Sequence, residues 1–571
     1  MSLTERWKRG GWLKLLAALL INLLFLLTLF ACFTFDYEAN DDFYMSGFVD
    51  GQLAEKTAFI PFVNIVQGLL LKLCYVLGGD KLPWYTACQY VLMLFGFSAV
   101  TWVLLRRFRL LPALAMTVII LLSSGMDAYL TLNFSKTAAI ATVGGLSLML
   151  FGLESGGGTA RRSALCLGFA LALLGFFWRY EVFFTVAAIM APVGFVSILE
   201  MLFQPGASGD KRHLRQIWHY ARPFLLLLLA VALFYGVNSL AWSQGEYGDF
   251  TRYNKVRHLL MDYGTPPRYE QAEEFYAAMD LDENAVGLLR SWSFYDTEKF
   301  SREKLEQITA RRDSLLPKRS PGECLGVLLD ECIPSFTGTP AFAAAGLMLL
   351  LWVACGRHGW KEFLGVGMML GFFSLIYMVM IYLNRCLVNR VDMGLFLAIA
   401  VALSFLMEGK KLDKDGFLCA LLIALALTMG MFSNRTVCKL SDKYDVEDKS
   451  AQKAAIEQVL ADEEHLYLCK MWSIDHALYS PLETAPAGFA DRIVLLGGWC
   501  VNHPSISRAL AAYGVQNPYP DMIDNEQVQL IDNDVERTLA YLRKYYDPDV
   551  RAEPVEPLST ETGLSIYQIY G

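Results

Sequence analysis

AFIPFVNIVQGLLLKLCYVL, residues Ala58–Leu77, is long and apolar enough to cross a bilayer, and its placement sets the topology of everything after it. The basic connectors downstream are Arg106/Arg107/Arg109, Arg161/Arg162, Lys211/Arg212/Arg215/Arg222, Arg357/Lys361 and Lys410/Lys411/Lys414. If Ala58–Leu77 does not span, all of them fall on the cytoplasmic side, as the positive-inside tendency requires. If it spans, all of them invert. Within the stretch, Asn64, Gln67, Gly68 and Lys72 recur at i, i+3, i+4 and i+8, which makes one polar stripe on a helix. The pattern predicts a helix lying in the membrane interface.

Upstream, Arg6, Lys8, Arg9 and Lys14 lead into an apolar run ending at Phe33. That run is long for a signal-peptide core and no small-residue cleavage site follows, so it reads as an uncleaved first span. Further span centres lie at Trp84–Leu105, Leu110–Ser124, Phe134–Leu153, Ala164–Trp178, Val182–Leu202 and Pro223–Trp242, then at Pro340–Cys355, Phe363–Leu383, Met393–Met407 and Gly416–Phe432. The expected fold is a polytopic α-helical membrane protein of about eleven spans, N-terminus inside and C-terminus outside.

Three segments then lie outside: a first loop over residues 34–83, a large loop over 243–339, and the chain after Asn434. The division is a transmembrane domain over 1–433 and an extracytoplasmic domain over 434–571. The latter mixes strand-like runs (His465–Cys469, Ile493–Leu496, Leu564–Ile569) with helical ones (Ala451–Leu460, Ile506–Tyr513, Val535–Tyr546), the signature of a small α/β unit.

Composition agrees with a bilayer protein. Of 571 residues, 55% are hydrophobic and only 19% charged. A formal net charge of −8 argues against a nucleic-acid partner, since phosphate binding needs surplus Lys and Arg. The twelve cysteines include no CxxC pair, so neither a zinc site nor a dense disulfide framework is indicated. Cys324 and Cys332 lie close enough in the large loop to be either a disulfide or two free thiols.

Span interiors are almost free of ionisable residues, unlike those of ion-coupled transporters. Lys14 and Lys136 sit near span ends, where they can snorkel. The charges that look purposeful cluster at outer span ends. Asn40-Asp41-Asp42 follows Asp36 and Glu38 and runs straight into Phe43, Tyr44, Met45 and Phe48. Carboxylates embedded among aromatics are site-like, and burial lets a pair share acid and base roles. Arg179 and Glu181 occupy a very short outer turn, as an ion pair or as an arginine poised for a lipid phosphate. Arg385 and Arg390, on the outer connector before the span at Met393–Met407, run against the positive-inside tendency, so Asp392 or a substrate phosphate is expected to balance them.

Carboxylate and arginines at headgroup level suit one reaction class. A sugar on a polyprenyl phosphate presents its anomeric carbon at the membrane surface. Arginines stabilise the departing phosphate, and a carboxylate takes the acceptor's proton. With its acidic pair after the first span, an interfacial helix in the same loop and a soluble outer C-terminal segment, the chain resembles the GT-C superfamily of polytopic membrane glycosyltransferases. It is most similar to the protein mannosyltransferase and lipid A aminoarabinose transferase groups.

The resemblance implies inverting transfer from a polyprenyl-phosphate sugar to a glycan, lipid or protein acceptor at the extracytoplasmic face of a plasma membrane, in bacteria the inner membrane. It implies Asp41 as base and Asp42 as its orienting neighbour. Arg179, Arg385 and Arg390 are then the donor-phosphate ligands, with Glu181, Tyr44 and Asn40 in support. No cofactor is called for, and the adjacent carboxylates Asp41 and Asp42 leave a divalent cation open. The competing readings are a transporter or flippase of lipid-linked or polymeric glycans, which leaves the large outer segments unexplained, and an O-antigen-type polymerase or ligase, expected to use arginine and histidine in large outer loops.

Overall fold

The computed structural model describes residues 11–52, 55–155, 158–203, 211–354, 359–385, 389–407, 446–474, 478–483, 489–559 and 563–571. Its long helices are α1 (Gly11–Cys32), α4 (Trp84–Arg107), α5 (Leu110–Leu130), α6 (Phe134–Glu154), α7 (Thr159–Trp178), α8 (Tyr180–Leu202), α9 (Lys211–Trp242) and α12 (Trp360–Tyr382). Between α1 and α4 stand the shorter α2 (Asn40–Asp50) and α3 (Ile65–Gly78). After α9 come α10 (Gly245–Met261) and α11 (Pro340–Ala354), and after α12 comes α13 (Asn389–Phe405).

Among the described residues, eight helices are long and apolar enough to cross a membrane, or nine if a bent pair is one span. The expected span at Pro340–Cys355 belongs to that pair. It is the fifteen-residue α11, meeting the preceding helical segment Pro321–Phe336 at 101°. Its length of about 22 Å falls short of a ~30 Å hydrocarbon core. The expected span at Met393–Met407 is the seventeen-residue α13, which with the two residues after it is buried from Val391 to Met407. Gly416–Phe432 lies outside the described residues.

The helices alternate between two ends of the bundle. At one end Lys14 donates to the Leu105 carbonyl at 2.7 Å, and Arg107 pairs with Glu154 and donates to the Phe405 carbonyl at 2.9 Å. Among the described residues, this end carries the connectors with Arg106/Arg107/Arg109 and Arg161/Arg162. At the other end the chain after α1 forms β1 (Asp36–Tyr37), which runs parallel to β2 (Thr131–Leu132), the link between α5 and α6. Lys136, expected to snorkel, is instead 2% exposed there and ion-paired to Glu38 at 2.9 Å and Asp127 at 3.1 Å. Small residues let the central helices touch: a Cβ on Gly144 of α6 would stand 2.6 Å from the Gly96 carbonyl oxygen of α4.

The helix within Ala58–Leu77 is α3, fourteen residues and therefore about 21 Å, too short to span. Its polar stripe faces protein and not water. Asn64 caps it by accepting from Val66 N and donates to the Phe234 carbonyl, while Asn238 of α9 accepts from Ile65 N. Gln67 and Gly68 are buried, and Leu69, Leu70, Leu73, Val76 and Leu77 form the exposed face. The stripe that marked the helix as interfacial is thus its docking side, and the apolar side is the one turned outward.

The C-terminal segment forms a five-stranded sheet of order β4-β3-β5-β7-β6, with β3 Leu466–Cys469, β4 Ile493–Leu495, β5 Val528–Asp532, β6 Arg551–Ser559 and β7 Leu564–Tyr570. The first three strands are parallel, and β7 and β6 add antiparallel. The sheet does not stand apart from the large loop. Asp296 of that loop is fully buried and accepts from Asn517 at 3.1 Å, Tyr541 at 2.7 Å and Tyr546 at 2.5 Å. Tyr295 N donates to the Leu496 carbonyl at 2.9 Å.

The first loop joins the same layer, because Ser480 donates to the Phe35 carbonyl and His503 bonds the Phe59 carbonyl. Burial among aromatic rings pushes the His503 imidazole down to about 3. It therefore stays neutral, accepting from Ser505 N at Nδ1 and donating from Nε2. Cys324 and Cys332 form no disulfide with each other.

Candidate functional site

Consecutive residues on a helix point roughly 100° apart, and this separates the acidic pair at the start of α2. Asp42 turns into the bundle and is 0% exposed. It accepts from the Tyr85 hydroxyl at 2.9 Å, Gln89 Nε2 at 3.1 Å, Asn133 Nδ2 at 3.0 Å and Phe134 N at 3.0 Å. The last of these is an orphan donor at the first turn of α6, where a carboxylate also meets the positive end of the helix dipole. Burial still dominates and pushes the carboxyl up to about 7, against the pull of the Tyr85 and Gln89 donors.

Asp41 turns the other way. Its Oδ2 lies 3.1 Å from a terminal nitrogen of Arg390, at the start of α13. Arg390 Nε is buried without a hydrogen-bond partner. Arg179, in the turn between α7 and α8, donates to Ser135 Oγ at 2.6 Å and lies over the Phe134 ring at 4.9 Å. Its separation from Glu181, 3.8 Å, is that of a loose pair. Asp392, the expected balance for the connector arginines, instead accepts from the Tyr377 hydroxyl.

Asn40, Asp41, Arg179, Glu181 and Arg390 line one cavity of about 740 Å³. Its far side comes from the large loop, through His258, Asp262, Tyr263 and Trp292, and from the C-terminal segment, through Met471, Trp472 and Trp499. One flank is apolar. There Leu375, Ile376, Val379 and Met380 of α12 meet Val182 of α8, and Leu375 (54%) and Val379 (46%) are also exposed on the outside of the bundle. The cavity therefore joins a charged interior to the apolar outer surface of the helices.

Other expected site residues stand off the wall. Asp42 is enclosed as described. Tyr44 packs edge-on against Phe43 at 5.3 Å. Arg385 lies 4.1 Å over the outer face of Tyr263, one residue removed from the cavity. With its lone pairs met by protein donors, Asp42 is not available to share a cation with Asp41. Among the described residues no group of three or more His, Cys, Asp or Glu side chains is placed to hold a metal ion.

The sequence reading passed over Asp262 and Tyr263. The signal was present, since His258 and Asp262 stand one helical turn apart on α10 and its C-cap, the spacing at which side chains meet.

No family model and no curated protein matches the chain. Two solved structures are similar in fold, both of ArnT from Cupriavidus metallidurans. One is bound to undecaprenyl phosphate and has a TM-score of 0.41, and the apo form has 0.43. Each is 13% identical, and the similarity covers 98% of this chain and 98% of that one.

Proposed function

We propose that the protein is a GT-C-type membrane glycosyltransferase that moves a sugar from a polyprenyl-phosphate donor to an acceptor at the extracytoplasmic face. The observation that carries this reading is the junction of the Asp41–Arg390 pair with an apolar flank open to the outside of the bundle. A polyprenyl tail lies along Leu375 and Val379, and its phosphate reaches Arg390 and Arg179. Arg390 Nε supplies a buried donor that is otherwise unmet. Charge that develops on the leaving phosphate is stabilised there by fixed guanidinium groups in a partly water-excluded site.

Asp41 is the base. Arg390 holds its side chain in place in the resting state, and it accepts the acceptor's hydroxyl proton as the oxygen attacks the anomeric carbon from the face opposite the phosphate, inverting it. Arg385 acts at one remove, holding Tyr263 against the cavity. The acidic end of the bundle is the extracytoplasmic one, with the basic connectors in the cytoplasm, and α3 lies in the interface with its leucines in lipid.

The test is transfer by the purified protein in lipid nanodiscs, supplied with polyprenyl-phosphate sugars and candidate acceptors. Asp41→Asn should lose at least about 100-fold in rate, the scale of a general base. A wild-type protein that leaves every such donor intact, or an Asp41→Asn variant that keeps full activity, overturns the reading.

A further inference from the structure

The wall of the cavity facing Asp41 holds a second acid–base element that the proposed function does not use. His258 Nδ1 is hydrogen-bonded to Asp262 Oδ2. Asp262 is itself held by Arg257, whose two terminal nitrogens lie 2.7 and 3.1 Å from its two oxygens. Arg257 is buried, so the carboxylate stays ionised and fixed in place. An ionised acceptor at Nδ1 fixes the ring and leaves Nε2 to meet a ligand in the cavity, where the imidazolium form carries the second proton that a departing phosphate takes up. Nε2 has no protein partner among the described residues.

Arginines and carboxylates both surround His258. The Tyr263 ring stands edge-on to the imidazole at 4.5 Å, and Arg385 covers that ring at 4.1 Å. Arg179 and Glu181, at the start of α8, also act on Tyr263, and Asp41 and Arg390 close the opposite wall. An anion entering between these arginines comes to rest beside His258.

Resting on the donor assigned above, we infer that His258, oriented by Asp262, is the group that contacts the lipid phosphate and gives it a proton as it leaves. The bond between the anomeric carbon and the phosphate oxygen breaks, and its electron pair stays on that oxygen. The proton on His258 Nε2 passes to the phosphate. The acceptor oxygen forms the new bond to carbon and gives its proton to Asp41.

Polyprenyl phosphate, the product of this step, is the probe. Trp292, Trp472 and Trp499 line the cavity, so its binding to the full-length protein in nanodiscs can be followed by tryptophan fluorescence. The wild type should bind, and more weakly at about pH 8 than at about pH 6. His258→Gln should bind roughly tenfold more weakly at about pH 6 and should not weaken further at about pH 8, since the phosphate's own second ionisation only adds charge for the arginines. His258→Lys keeps a charged donor throughout, so its affinity should not fall between the two pH values. Unaltered affinity and pH dependence in His258→Gln, or a wild-type fall with pH in His258→Lys, overturns the assignment to His258 while leaving the donor reading in place. A wild type that binds no polyprenyl phosphate overturns the donor reading itself.

Discussion

Asp41 and Asp42 show how one residue step divides two identical side chains between function and structure. Asp42 ties α2 to α4 and to the first turn of α6 through four donors, so truncating it leaves Tyr85, Gln89, Asn133 and Phe134 N unmet in a buried place. Asp42→Ala should therefore cost ~1–3 kcal/mol or more in stability, read as a lowered melting temperature. The pH dependence has a definite sign. Burial raises the folded carboxyl to about 7, above its unfolded value, so the folded state holds a proton that the unfolded chain has released. This contribution to stability is present at acid pH and is lost as the pH rises toward 7. Melting temperatures of Asp42→Asn should fall less than those of the wild type between about pH 5 and pH 8. An identical slope in both proteins would show that Asp42 is ionised throughout.

At the scale of elements, α3 is held by a close approach and not by the solvation of its polar stripe. A Cβ on Gly68 would stand 1.9 Å from the Ala58 carbonyl oxygen, which is main chain and cannot swing aside. Gly68→Val should displace α3 from the bundle and lower stability by ~1–3 kcal/mol. Leu70→Gln, on the outward face, should leave the melting temperature in detergent nearly unchanged. Thermal unfolding of the two variants separates the faces.

The same helix marks what the sequence could and could not tell. Periodicity located a helix with two unlike faces, yet which face met protein depended on Asn238 and Phe234, more than 150 residues away. The long apolar spans were legible from hydropathy alone. The strands β5 and β6 were not. Val528–Asp532 carries a Gln and an acid in a fully buried strand, where Lys470 pairs with Asp532 at 2.9 Å. Arg551–Ser559 contains Pro554 and Pro557, which only an irregular edge strand tolerates, and its register shifts beside both. At the site, Asp41, Arg179 and Arg390 could be picked out as charges at outer span ends. For Asp262 the sequence carried only its one-turn spacing to His258, and the contact with the buried Arg257 that fixes it belongs to the fold.

Over the whole molecule, the large loop and the C-terminal sheet behave as one body, because the cavity is walled by both. The strongest tie between them is Asp296, a buried acid whose three side-chain donors all come from the C-terminal segment. Trp292 and Ser293 reinforce it from the same stretch of loop, accepting from Gly498 N at 3.2 Å and the Tyr519 hydroxyl at 3.1 Å. Trp292 and Gly498 both line the cavity, so a sheet that shifts on the loop reshapes the wall opposite Asp41. Asp296→Ala strands three side-chain donors, those of Asn517 and Tyr541 buried, and should cost ~1–3 kcal/mol or more at this junction, with no change to the helices that carry Asp41, Arg179 and Arg390. Limited proteolysis should then cut the loop between Asp262 and Ser301 several times faster than in the wild type, and transfer should fall although Asp296 lies off the cavity wall. A variant with wild-type protease resistance and reduced transfer would place Asp296 in the chemistry. One with faster cleavage and full transfer would show that the sheet is dispensable to the site.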